Sequence, residues 1–112
     1  MKTALANFAA PRVVAGDFNA HPDDSEIIGP TGMTTDYIDL WPVAVNARTA
    51  APADIQAYTH KSSWRPDYIF RSKDSPDTMI SLLSMRIERP TNPQNGNDVS
   101  DHFPVVAVLT VQ

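Results

Sequence analysis

The chain has 112 residues, of which 42% are apolar, with a formal charge of −4 and no cysteine. That length holds one domain, residues 1–112, with a single core near the small end of the usual range. The charge excludes a surface that is one continuous nucleic-acid footprint, though not a local basic groove. The lack of cysteine excludes disulfides, thiolate metal sites and thiol nucleophiles.

No apolar run reaches the length of a membrane span, and Met1–Arg12 carries no continuous apolar stretch of signal-peptide type. In chain order, Lys2–Ala10 reads as a short helix with Ala4, Leu5, Phe8 and Ala9 on one stripe, ended by Pro11. Arg12–Ala15 predicts a short buried strand running into Gly16-Asp17. Asp23 and Glu26 have the spacing of a capping box, opening a helix of a turn or two that Gly29-Pro30 stops. Thr34–Val45 predicts a second helix kinked at Pro42, with Tyr37 and Trp41 as core contacts four residues apart. Asn46–Asp54 is a polar, alanine-rich connection. Asp67–Arg71 alternates as a strand, and Met79–Glu88 is the next strand. Pro90–Asp98 is a loop with Asn95-Gly96 as its turn signal. Phe103–Val111, nearly all apolar, predicts a strand buried on both faces. The order implies a mixed α/β layered structure.

Three polar clusters stand at strand ends: Gly16-Asp17-Phe18-Asn19, Trp64-Arg65-Pro66-Asp67-Tyr68 and Ser100-Asp101-His102. Open α/β sheets build their sites at the carboxyl ends of strands. On an extended segment Asp17 and Asn19 project to the same face. A histidine among carboxylates is held protonated by one of them and can face a phosphate oxygen. A second carboxylate can orient or deprotonate water, or hold Mg²⁺ through oxygen. These residue types suit metal-assisted hydrolysis of a phosphodiester or phosphomonoester. His60, Lys61, Arg65, Arg71 and Lys73 form the one locally basic stretch, a solvated loop or a phosphate-backbone contact.

With the three motifs in that order, the chain from about Val13 to Leu109 resembles the carboxyl-terminal half of the endonuclease/exonuclease/phosphatase family, the DNase I-like fold. The resemblance implies an α/β (α+β) chain that is half of a four-layer sandwich, a mixed β-sheet with helices on one face. It implies that Asp17 positions or activates water, that Asn19 binds the scissile phosphate, and that His102 faces the phosphate with Asp67 as its carboxylate partner. Asp101 would assist with the metal, Mg²⁺ or Mn²⁺, or with water, while Arg65 and His21 would lie near the substrate. Pro66 departs from the aliphatic residue more usual in the middle motif. In that family the amino-terminal half supplies an asparagine and the glutamate that is the main Mg²⁺ ligand, and nothing before Gly16 matches them. The resemblance therefore implies half an active site, on a phosphate ester that includes nucleic acid among its candidates. The alternative is a catalytically silent scaffold that exposes an apolar sheet face and self-associates or binds a complementary half-domain.

A second, shorter stretch, Ala20-His21-Pro22-Asp23-Asp24, resembles the zinc-binding signature of N-acetylglucosaminyl deacetylases. That family has an acidic residue directly after the signature and a later His-x-x-His pair. Here Ser25 follows, and His60 and His102 are far apart in sequence.

Overall fold

The alternation in Asp67–Ser72 organises the molecule. In the computed structural model, which describes residues 11–73 and 80–111, this segment is the central strand of a three-stranded sheet and buries a core on each of its faces. Successive strand residues point to opposite sides. Tyr68 and Phe70 enter one cluster with Ala20, Ile27, Met33 and Tyr37, while Ile69 packs on a second around Leu40, Trp41, Ala44, Ala57 and Met85. The helix expected at Lys2–Ala10 lies outside the described residues.

The strands, in chain order, are β1 (Val13–Asp17), β2 (Tyr37–Asp39), β3 (Ala50–Ala51), β4 (Asp67–Ser72), β5 (Ile80–Ile87) and β6 (Val105–Val111). The helices are α1 (Ser25–Ile28) and α2 (Leu40–Asn46), with a 3₁₀ turn at Met33–Thr35. The mixed α/β class expected from the sequence is what the structure shows, its strands divided between two sheets ordered β1-β4-β2 and β3-β5-β6. Only β3 and β5 pair in parallel; the other neighbours are antiparallel. Leu83 is the extra residue of a bulge between Leu82 and Ser84, and its side chain is exposed.

Several local expectations change. The strand expected over Arg12–Ala15 begins at Val13 and is not buried. Among the described residues it pairs with β4 alone, as the outer strand of its sheet, and Val13, Ala15, Gly16 and Asp17 are exposed. β6 is likewise an edge strand, half-buried rather than covered on both faces, with Val108 and Val111 open to solvent.

The helix expected over Thr34–Val45 is three elements. Tyr37 and Ile38 alternate across β2 into the two different cores, so a period of two was hidden under helical spacing. Trp41, on α2, is buried and donates its indole N–H to the Asp54 carbonyl at 3.0 Å. Tyr37 and Trp41 are both core residues as expected, but in separate clusters. Pro42 is third in α2 and does not kink it, because first-turn N–H groups have no partner within the helix. At α1 the cap position belongs to Asp24, not Asp23, and no side chain caps the helix. The Asp24 carboxylate instead accepts the His21 N–H at 2.7 Å.

Candidate functional site

The register of β1 on β4 places Asp17 directly opposite Asp67. Opposed residues of an antiparallel pair project to the same face of the sheet, so two carboxylates far apart in sequence become neighbours. Phe18 turns the other way and meets Tyr68 and Phe70 edge-on, with ring centroids at 5.6 and 5.1 Å. That apolar anchor, together with the Tyr68 hydroxyl donating to the Ala20 carbonyl at 2.7 Å, fixes where the chain leaves β1. Burial pushes the Tyr68 phenol well above its ordinary pKa, so it remains a donor.

His102 arrives from the other sheet. The segment Thr59–Lys61 pairs with Asp101–Phe103 across a short bridge, in which Phe103 N–H donates to Thr59 O at 2.7 Å and Lys61 N–H to Asp101 O at 2.9 Å. Thr59 is fully buried, and its hydroxyl accepts the Asp67 N–H at 3.3 Å. Buried Phe103 anchors the far side of the bridge, capped by the Arg89 guanidinium 4.8 Å above its ring. His102 Nδ1 is thereby held 2.9 Å from Asp67 Oδ2, and its Nε2 lies 3.8 Å from Asp17 Oδ2. The Asp67 hydrogen bond, with the charges of Asp67, Asp17 and Asp101, raises the imidazole pKa above its ordinary value despite partial desolvation.

A cleft of about 380 Å³ opens here, bounded by Ala15, Gly16, Asp17, Asp67 and Ile69 on one side and His102 to Val105 on the other. Among its described lining residues His102 is the only group able to carry positive charge, against the carboxyl groups of Asp17 and Asp67. A larger hollow, of about 670 Å³, lies against the Asn92–Val99 loop; its one acid, Asp98, is held bidentately by Arg89 at 2.7 and 2.9 Å.

Of the residues expected at the site, Asp17, Asp67 and His102 meet. Asn19 does not line the cleft. The strand ends at Asp17, Asn19 takes a left-handed backbone (φ 48°), and its N–H donates to Asp17 Oδ1 at 2.8 Å. The expectation that Asp17 and Asn19 share one strand face is therefore corrected. Arg65 is withdrawn altogether: buried, it binds Asp39 through two hydrogen bonds of 3.1 and 2.7 Å and stacks over the Tyr68 ring. A guanidinium so engaged is not offered to a substrate, and it removes the centre of the basic stretch expected from His60 to Lys73. His21 is exposed, its ring 4.6 Å from that of Trp64.

Asp101 stands outside the cleft lining, its Oδ2 3.5 Å from His60 Nε2. His60, expected only as part of a basic stretch, comes beside His102 across the loop bridge. Its ring lies 4.9 Å from that of His102, edge to face. Its place in the basic stretch before the middle motif put it near phosphate, but nothing in the spacing paired it with Asp101 and His102.

Among the described residues, two groups of side chains have the geometry to hold a metal ion: Asp17, Asp67 and His102, and His60, Asp101 and His102. Neither is the all-oxygen set that Mg²⁺ prefers, since each includes an imidazole and the second includes two. His21, Asp23 and Asp24 join no such group among the described residues, so the geometry of the deacetylase signature is not reproduced. Among the described residues no helix is long and apolar enough to cross a membrane. Comparison with protein-family models, curated proteins and solved structures finds no match to this chain.

Proposed function

We propose that this chain hydrolyses a phosphate ester, as its resemblance to the endonuclease/exonuclease/phosphatase family implies. The observation carrying this reading is the clasp of His102 between two opposed carboxylates at the mouth of a cleft.

Asp67 holds the Nδ1–H of His102 and so directs Nε2 at the cleft. The 3.8 Å gap between Nε2 and Asp17 Oδ2 is too long for a direct hydrogen bond and suits a shared water that accepts from the imidazolium and donates to the carboxylate. Asp17 accepts a proton from the attacking water as its oxygen bonds to phosphorus. The imidazolium of His102 donates its Nε2 proton to the leaving oxygen as the P–O bond breaks. Mg²⁺, the ion the resemblance implies, finds only mixed oxygen and nitrogen donors among the described residues, and none of these steps is routed through it. A phosphodiester or phosphomonoester both fit this chemistry, a nucleic acid among the former.

The test is release of nitrophenol from bis(p-nitrophenyl) phosphate and p-nitrophenyl phosphate. Loss of a general acid or base costs about 10²–10⁴ in rate; the same rate in His102→Ala and Asp17→Ala as in the parent chain overturns the reading.

A second reading, a self-associating scaffold, is favoured by β6. This exposed edge strand has no charge, proline or glycine to blunt it. Sedimentation that stays monomeric at high concentration rules it out.

A further inference from the structure

We infer that His102 Nε2 and Asp17 Oδ2, steadied by Asp67, form a binding site for a borderline divalent transition ion such as Zn²⁺ or Co²⁺, not for Mg²⁺. Two ligands each about 2.0–2.2 Å from one ion stand at most ~4.4 Å apart. The observed 3.8 Å separation falls inside that span and outside hydrogen-bonding range. All three donor atoms of the group, with one from Asp67, lie within 4.8 Å of one another.

Each ligand is aimed by a neighbour. Asp67 accepts the Nδ1–H of His102, fixing the tautomer that leaves the Nε2 lone pair free, the carboxylate–histidine arrangement that raises ligand basicity. The Asn19 N–H holds Asp17 Oδ1 and leaves Oδ2 toward His102. The imidazole donor selects a borderline ion over a hard one. The cleft also calls for a cation: Arg65 is locked onto Asp39, and two carboxyl groups face one imidazole.

The neighbouring group built on His60 is the weaker donor set. The Ser62 N–H donates to His60 Nδ1 at 3.0 Å, so neutral His60 carries its hydrogen on Nε2, the atom that faces Asp101. Coordination there would require moving that hydrogen to Nδ1 and giving up the Ser62 hydrogen bond. An ion and a proton are alternatives on His102 Nε2, so this inference goes beyond the hydrolase reading and does not depend on it.

Isothermal titration of the full chain with ZnCl₂, and visible spectra with CoCl₂, decide it without substrate. One ion per chain is expected, its affinity unchanged by excess Mg²⁺. Circular dichroism selects variants that keep the fold. Among these, His102→Ala abolishes binding, Asp67→Asn weakens it about 10–100-fold, and His60→Ala stays within about threefold of the parent. No binding by the parent, displacement by Mg²⁺, an unaffected Asp67→Asn, or loss in His60→Ala equal to that in His102→Ala would overturn the site. Should His102→Ala fail to fold, His102→Gln with the Co²⁺ spectrum of the parent as reference replaces it. A chain that binds Zn²⁺ without hydrolytic activity sinks the hydrolase reading alone; an active chain that binds none sinks this one alone.

Discussion

Arg65 and Asp67 stand two residues apart in one motif, and each makes an ionic pair, yet the pairs serve opposite ends. Arg65–Asp39 is buried, with side-chain exposures of 6% and 12%, and spans from the entry of β4 to the end of β2. Its carboxylate also accepts the Trp41 N–H at 3.3 Å, so it caps α2 as well. His102–Asp67 is open, at 38% and 20%, and leaves one imidazole nitrogen facing the cleft. Burial removes an ion pair from chemistry and gives it the task of fixing geometry. Partial exposure leaves a pair free to exchange protons or accept a ligand.

Mutations can break this contrast. Arg65→Ala or Asp39→Ala leaves a buried charge unpaired and should cost about 3–5 kcal/mol of stability, read from the denaturant midpoint. Replacing both by apolar residues of similar volume should recover most of that loss, although the cap on α2 is worth about 1 kcal/mol of its own. Equal destabilisation in the single and double variants would mean the pair contributes net stability.

His102→Ala should change stability by about 1 kcal/mol or less, since exposed pairs are worth little, while removing activity. A loss as large as that of Arg65→Ala would move His102 into the structural class. A smaller effect is pH-dependent. The folded-state pKa of His102 is raised above the ordinary 6.5, so its contribution is fully present below that pH and is lost as pH rises through the folded value. Its proton resonances should titrate above 6.5, and Asp67→Asn should lower the midpoint and flatten that limb of the stability curve. A midpoint unmoved by Asp67→Asn would remove the hydrogen bond as the cause. The smallest effect belongs to the exposed Arg86–Glu88 pair at the end of β5, where Arg86→Ala should cost at most about 0.5 kcal/mol.

Strand β4 was legible because its burial alternates residue by residue, and β5 because its length and apolar content outweigh the break that the Leu83 bulge makes in its alternation. The turn at Gly96, with φ 73°, was legible because Asn-Gly suits that backbone. β2 was not, since three residues of period two fit inside a helical spacing. Burial of β1 and β6 was misjudged because apolar composition does not say whether a strand lies inside a sheet or at its edge. At the site, Asp17, Asp67 and His102 were legible from their motifs, whereas the contact of His60 with His102 was not, because it comes through a bridge between two loops. Gly16 has open space around it, where an added Cβ would meet nothing within 4 Å, so its place in the first motif has no steric account here.

By itself the sequence determined the mixed α/β class, the principal strands and the residue types of the site, because local periodicity and turn chemistry act over a few residues. Only the tertiary structure decided which charges are available. Antiparallel register set Asp17 against Asp67, the loop bridge brought His102 over them, and burial against Asp39 took Arg65 away. Those are long-range outcomes, fixed by how two cores close on the opposite faces of β4.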